Sequence, residues 1–580
     1  MEKKSNQNIK RLYKENYPIL ILIYAVVIFN AFISATTAFE TQKVVDMISG
    51  GESKPFIKSL IVLSLLFLVN VIMKFVFNRL NNKYNCYIGI TIRNNLFKNI
   101  INKRYPDFKQ KDIGEYVSML TVDSNKLQDG YFLSKINIFN GIVNIASSIG
   151  VMIFMSWKLS LIVLVLSVIP MAVSSFMGRN LSKINEKIIE YNRIFTSYIK
   201  EVFNGFPLMK NFMVEEKLFS RFKKVNHDWN KSSENGGNEI AKMIVFSEGI
   251  SQFITIGTIG VGSLMIFAGM LSFGVIMAFF ELIGNVLGPV QTLTQNICIR
   301  NGVKPIVLKL LEETESIYDS SRSQKIEDFN DNIKFENVSF SYNKENPLLE
   351  GVYFEIKKNR KYMLAGGSGG GKSTIFDLIR GYYSDYEGSG TIDGIEIKNI
   401  DLYSLNKLIS TVDQNVFLYN ATIRENITLF SDYPDDQIMQ AAKMAGLYEF
   451  VEKNGLDYSC GENGNLISGG EKQRISIARC ILRNTPILFF DEATSALDNE
   501  IASDIENLIL GLDKTCFVIS HRFNTNVLKK YDKIFFVEKG SISEQGTYDD
   551  LMLYEGKFYS QVCTNLDVTE NITDENKCVP

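Results

Sequence analysis

Residues 361–374 read KYMLAGGSGGGKST: a short apolar run followed by Gly366, Gly367, Ser368, Gly369, Gly370, Gly371, Lys372, Ser373 and Thr374, which satisfies G-x-x-x-x-G-K-[ST]. A strand that enters a glycine-rich turn and leaves it as a helix lets backbone N–H groups close around phosphate oxygens. They do so at the positive end of the helix that begins there. On this reading Lys372 reaches the β- and γ-phosphates of a nucleotide, and the Ser373 hydroxyl takes one position on Mg²⁺. The surroundings agree, because from about residue 312 short apolar strands alternate with helical stretches, as in an α/β domain with parallel strands. Two further strand ends carry chemistry. Residues 486–492 read PILFFDE, which puts Asp491 where it can hold Mg²⁺ through water and Glu492 where it can orient or deprotonate an attacking water. The run Cys516–Ser520 ends at His521, on the edge of the sheet where such folds bind ligands, and His521 reads as a γ-phosphate contact. His227, in a charged stretch, reads as a solvated helix residue.

The first half of the chain has a different character. The 580 residues average a mean hydropathy of +0.02 and carry a net charge of −2, with 46% hydrophobic residues. Such a balance excludes a disordered chain and gives no field for nucleic acid. The average conceals two halves. Six apolar spans are expected, at Pro18–Phe39, Phe56–Phe77, Ile136–Met155, Leu159–Met177, Met243–Leu271 and Phe273–Ile297, each about long enough to cross a bilayer. The first is too long for a signal-peptide core and has no evident cleavage site. Lys and Arg concentrate in the N-terminal segment and in the loops 79–135 and 178–242, which places both ends and both long loops in the cytoplasm. Asn78–Arg104 and Arg179–Lys200 lack proline and read as membrane helices running on into the cytoplasm. Inside the spans lie two acids, Glu248 and Glu281, and three asparagines at helical spacing, Asn137, Asn140 and Asn144. These are candidates for a substrate cavity, the acids pointing to cationic or amphipathic cargo; the alternative is hydrogen bonding between helices. Seven cysteines without C-x-x-C spacing read as buried, reduced thiols.

Residues 467–474, Ile467-Ser468-Gly469-Gly470-Glu471-Lys472-Gln473-Arg474, resemble the signature motif of ATP-binding-cassette (ABC) ATPases. Ser495–Asp498 resembles that family's D-loop, Gln414 its Q-loop glutamine, and Tyr342 the aromatic that stacks on adenine. The chain as a whole is similar to an exporter-type ABC half-transporter. The implied fold is an α-helical polytopic membrane domain of six transmembrane helices followed by an α/β P-loop ATPase domain. The expected boundaries are 1–310 for the membrane domain, 311–329 for a linker, 330–565 for the ATPase domain and 566–580 for an acidic, disordered tail.

The resemblance implies ATP and Mg²⁺ as cofactors, with Gln414 as a further Mg²⁺ contact and Asp498 linking the two ATP sites. It also implies a second half-transporter chain, identical or different, whose Walker loop pairs with Ser468, Gly469, Gly470 and Glu471 of this one. Short coupling helices are expected near Pro106–Lys111 and Phe206–Met213. The signature departs from the usual Leu-Ser-Gly-Gly-Gln at Ile467 and Glu471, and the latter puts a negative charge near phosphate or ribose. The implied function is ATP-driven transport of a small-molecule, lipid or peptide substrate across the inner (plasma) membrane of a bacterium, by export. A siderophore importer on the same architecture and an ATP-gated channel or regulator are the alternatives. No peptidase precedes the first span, which argues against exporters that cleave leader peptides.

Overall fold

Long apolar segments satisfy their backbone groups internally by forming helices, and the first half of the chain does so six times. The helices are α1 (Glu2–Gly50), α2 (Ser53–Ile101), α3 (Ser134–Met155), α4 (Trp157–Asn204), α5 (Glu215–Phe267) and α6 (Phe273–Glu313). The computed structural model describes residues 2–50, 53–313, 322–342, 347–367, 369–493 and 499–569, without side chains in a few helical stretches, chiefly 2–16 and 167–183. Two units result, Met1–Lys103 with Asp107–Ile317, and Arg104–Pro106 with Tyr318–Pro580.

In the first unit α2, α4 and α5 run 49, 48 and 53 residues, more than twice the roughly 20 needed to span hydrocarbon. Their excess forms the helical extensions expected from the proline-free loops. Among the described residues five helices are long and apolar enough to cross a membrane. The expected fourth span is helical throughout, but from residue 167 its side chains lie outside the described residues. Short helices Tyr105–Lys109 and Phe206–Asn211 cap the two long hairpins, at the places expected for coupling helices. The α3–α4 turn is a single extended residue, Ser156, whose Oγ accepts from Leu159 N–H at 3.5 Å.

Helices α1 and α6 are joined by a polar seam. Asp46 accepts from Gly274 N–H and from Ser272 Oγ, both at 2.8 Å, and so caps the start of α6 from the neighbouring helix. A Cβ on Gly274 would lie 2.2 Å from the Gln42 carbonyl, so only glycine permits this approach.

Among the described residues the second unit holds ten strands: β1 (Asn332–Phe340), β2 (Leu349–Lys357), β3 (Lys361–Gly366), β4 (Glu387–Ile392), β5 (Ile395–Glu396), β6 (Ile409–Val412), β7 (Ile487–Asp491), β8 (Thr515–Ile519), β9 (Lys533–Glu538) and β10 (Ser541–Gly546). They form a four-stranded antiparallel sheet, β2-β1-β4-β5, and a six-stranded sheet, β10-β9-β3-β8-β7-β6, whose inner pairs are parallel. The glycine-rich loop's own strand, β3, therefore lies between β9 and β8, neither of them its neighbour in sequence. Between the sheets, Phe335, Phe354, Phe376, Phe489, Phe517 and Phe535 are fully buried, and Phe376 stacks on Phe489 with centroids 4.6 Å apart. Phe376 belongs to the helix that follows the glycine-rich loop, α7 (Lys372–Ile379), so this aromatic layer sets the loop's height above the sheet.

Three expectations need correction. The stretch 311–329 is not a free linker: α6 reaches Glu313, and from Arg322 the chain is built into the second unit. Arg322 Nη1 donates to the Gly381 carbonyl at 2.8 Å, and Ile326 and Phe329 are buried in the core between the sheets. The tail is shorter than expected, because the last helix runs Lys557–Thr569, anchored by buried Phe558 and Val562; residues 570–580 lie outside the described residues. The thiols are not all buried: Cys460, Cys480 and Cys516 are, whereas Cys86 is exposed on the extension of α2.

Candidate nucleotide site

The site forms at one edge of the six-stranded sheet. Register pairs Ile519 with both Leu364 and Asp491, so the ends of β3, β8 and β7 are level. Gly366, Glu492 and His521 follow within two residues, and three elements distant in sequence thereby deliver their functional side chains to one place.

Gly366 makes the turn possible. Its φ is +140°, and a Cβ there would lie 2.2 Å from the Val537 carbonyl. Lys372 is buried beneath the loop, with Nζ donating to the carbonyls of Gly366 (3.0 Å) and Gly367 (2.7 Å). Burial pushes its ammonium below the usual lysine range, against the opposite pull of Glu492 and Asp491. A buried cation held by neutral carbonyls, beneath the open N–H groups of a helix start, fits a polyphosphate. Gly369, Gly370, Gly371, Ser373 and Thr374 complete the loop; Ser368 lies outside the described residues.

Burial raises the Asp491 carboxyl above its ordinary range and the Glu492 charge adds to this, while a hydrogen bond from Ser373 opposes it. Such a carboxylate is a natural place for a cation. Among the described residues no group of three or more His, Cys, Asp or Glu side chains is arranged for a metal. Mg²⁺ would therefore rest on Ser373 and Asp491, with Gln414 adjacent and the nucleotide's own oxygens filling the shell.

Glu492 is gripped from both sides. Its Oε1 lies 3.0 Å from His521 Nε2, and its Oε2 accepts from Gln414 Nε2 at 2.6 Å. Its backbone is left-handed at φ +49°, held by a bond from its N–H to the Ile519 carbonyl at 3.0 Å. A non-glycine residue in this region is uncommon and costs energy. Here it turns the side chain off the strand axis towards His521 and Gln414.

Tyr342, expected to stack on adenine, is half exposed and pairs its hydroxyl with Thr374 Oγ1 at 3.1 Å. Its ring meets Phe340 and Tyr383 edge-on, at 5.1 and 5.3 Å between centroids. Sequence reasoning missed Tyr383, whose hydroxyl burial pushes up to about 12, and Arg380. Buried at the end of α7, Arg380 donates to Asp413 at 2.9 Å and so steadies the residue before Gln414. A cation just past the end of the loop helix was the available signal for it.

The signature departure has a local explanation. Ser468 caps α8 (Gly469–Arg483), accepting from Glu471 N–H, while the Glu471 carboxylate accepts from Ser468 N–H at 2.9 Å and from its hydroxyl at 2.7 Å. This is a capping box, for which Glu and Gln both serve. Ser468 and Gly469 are exposed, whereas Ile467 is buried in the core. Glu471→Gln is expected to leave ATP turnover within about twofold. Glu471→Ala removes the reciprocal bonds and is expected to cost about 1 kcal/mol at the helix start; ATPase rates and thermal unfolding of the two variants decide it. Asp498 lies outside the described residues.

The membrane candidates separate. Asn144 Nδ2 donates to Asn140 Oδ1 at 3.1 Å, and both line one cavity with residues of α1 and α2. Asn137 reaches Asn296 of α6 at 3.4 Å. Glu281 accepts from Thr41 of α1 at 3.3 Å, part of the α1–α6 seam, and Glu248 is exposed on α5. Neither acid lines the asparagine cavity.

A helical membrane unit joined to a nucleotide-binding α/β unit with these strand-end residues is that of an ATP-driven transporter. Residues 20–290 match the family profile of the ABC transporter transmembrane region, and 349–495 match that of the ABC transporter. The chain belongs to the ABC transporter family, as an exporter-type half-transporter that hydrolyses ATP. It is 30% identical over 570 residues to the ATP-dependent lipid A-core flippase of Desulfotalea psychrophila, covering 95% of this chain and 98% of that one. A Bacillus subtilis protein whose name assigns it to multidrug export, YgaD, is 32% identical over 481 residues, covering 80% and 82%. The structure of a bacterial Atm1-family ABC exporter with ATP bound shares the fold, with a TM-score of 0.85 at 21% identity over 94% of this chain and 99% of that one.

Proposed function

We propose that two copies of this chain form an exporter of the bacterial inner membrane that moves an amphipathic substrate, a lipid or drug-like molecule, away from the cytoplasm. The observation that carries the catalytic part is Glu492, held between His521 and Gln414 at the level of Lys372 and Asp491. Lys372 and the loop amides bind the phosphates, and Tyr342 offers its exposed face to the base. Mg²⁺ would neutralise charge building on the transferred phosphoryl group. Glu492 orients the attacking water and takes its proton, His521 steadies that carboxylate and contacts the γ-phosphate, and Gln414 reports the phosphate's presence. Ser468, exposed here, and Gly470, half-buried in the first turn of the same helix, complete the partner's site. ATP then favours the closed pair of ATPase domains because it touches both, and only that difference in affinity can shift the membrane helices.

Relatives named for lipid flipping and multidrug export support an outward direction, and neither the importer nor the channel reading is favoured. The test is transport by the full chain in liposomes with ATP outside. Fluorescent phospholipid on the ATP-facing leaflet should be moved beyond equal distribution, and only with hydrolysable ATP. Movement that stops at equal distribution, or that proceeds with a non-hydrolysable analogue, contradicts a pump.

A further inference from the structure

Between α1, α2 and α3 lies a cavity of about 270 Å³, walled by Asn30, Lys74, Phe77, Asn78, Asn140 and Asn144 together with two α1 valines. Four carboxamides and an ammonium gathered at one cavity of a helical membrane unit are unusual, since each is costly in hydrocarbon unless it has a partner; Asn30, Asn140 and Asn144 are half-buried there, whereas Lys74 and Asn78 are exposed. No acid lines the cavity. Among the described residues Lys74 has no ion-pair partner, and Asn30 Oδ1 is buried without a hydrogen bond. A residue near a span's end such as Lys74 could reach water along its stem, but four asparagines at the same cavity serve no such purpose.

The donor inventory specifies the guest. Lys offers three N–H groups and no acceptor, and each Asn offers two N–H groups for one oxygen. The walls are therefore rich in donors and carry net positive charge, which suits an anionic acceptor such as a phosphate. The unpartnered Asn30 oxygen asks for the reverse, a hydroxyl or amine on the same guest. Size narrows it further. Pockets that enclose whole drug-sized ligands run about 300–1,000 Å³, so this one takes a head and leaves the tails outside, beside Phe77 and the valines.

We propose that this cavity holds the phosphate-bearing head of an anionic amphiphile that the transporter moves. This rests on the export reading, and it gives the cargo the charge opposite to the one that Glu248 and Glu281 suggest. The head has the chemistry of a phosphodiester or phosphomonoester with a neighbouring hydroxyl, which a membrane phospholipid or a free polyol phosphate could each supply.

The test uses the full chain and two readouts. Native mass spectrometry counts phosphatidylglycerol retained by the protein against phosphatidylcholine. ATP turnover is followed as phosphatidylglycerol is titrated into phosphatidylcholine nanodiscs. Losing a charge-assisted hydrogen bond predicts about a tenfold weaker preference for phosphatidylglycerol in Lys74→Gln, with Lys74→Arg restoring the preference. Asn144→Leu, which changes no charge, should weaken it too, and that separates the cavity from general attraction to an anionic surface. Glycerol 3-phosphate competing with the lipid identifies a soluble source, and failure to compete identifies the lipid; either outcome supports the phosphate head. Equal retention by wild type and Lys74→Gln, or a response to charge but none to Asn144→Leu, overturns the proposal. Absent ATP turnover in every lipid would instead overturn the reading that two copies of this chain suffice for the exporter, since retention is measured without hydrolysis.

Discussion

Glu492→Gln is expected to lower ATP turnover by about 10²–10⁴-fold, the usual worth of a positioned general base, while ATP binding survives. The substitution keeps the size of the side chain and an oxygen for Gln414 Nε2 to meet at its present 2.6 Å. It removes the group that can accept a proton from water. Lys372 and the glycine-rich loop are untouched, so the variant should accumulate with ATP bound and its ATPase domains paired. Phosphate release and retention of labelled ATP, measured on the same nanodisc sample, separate binding from chemistry. Turnover above about a tenth of wild type would remove Glu492 from the role of base. A wild-type chain that is well folded yet silent would mean that the functional unit needs a second, different chain.

The residues of this site were legible because each belongs to a short local pattern: a glycine-rich loop after an apolar strand, two acids ending another, a histidine ending a third. Their mutual arrangement was not. That Glu492 is gripped by two partners depends on the levels of β6, β7 and β8 and on a left-handed backbone at one position, neither of which composition encodes. The mistaken linker has a similar cause. Ile326 and Phe329 are isolated apolar residues in a polar stretch without periodicity, and only the packed core shows that they are buried. In the membrane unit the spans could be read from hydropathy, whereas the meeting of Asn30, Lys74 and Asn144 depends on how three helices rotate about their axes. For the acids the sequence left two readings open, because a carboxylate in a span can serve a neighbouring helix as well as a ligand; Glu281 accepts from Thr41 of α1, as the second of these has it.

The second large effect is expected at a residue that no motif marks. Glu313, the last of α6, is 7% exposed and receives the ammonium groups of both Lys103 and Lys111. These lysines flank the short helix Tyr105–Lys109, so one carboxylate ties both stems of the first cytoplasmic hairpin to the end of α6. Burial alone would raise its pKa, but the two lysines prevail and hold it below its ordinary 4.5; Lys103 is raised above its ordinary 10.5 by the same partner despite burial. Glu313→Ala leaves two half-buried cations without their counter-charge and is expected to cost about 3–5 kcal/mol, read as a lower unfolding midpoint of the full chain.

The pH dependence follows from the signs. A depressed carboxylate contributes stability that is complete above about 4.5 and is lost as pH falls through its folded value; a raised lysine contributes stability that is complete below about 10.5 and is lost as pH rises beyond it. Glu313→Gln should therefore flatten both limbs. Replacing all three residues together (Glu313→Leu, Lys103→Met and Lys111→Met) should recover most of the stability, because the cost of the single change lies in the stranded charges and not in the loss of the pair itself. A triple variant as unstable as Glu313→Ala would show instead that the ion cluster supplies net stability, and a Glu313→Ala loss below about 1 kcal/mol would mean that water already reaches these lysines.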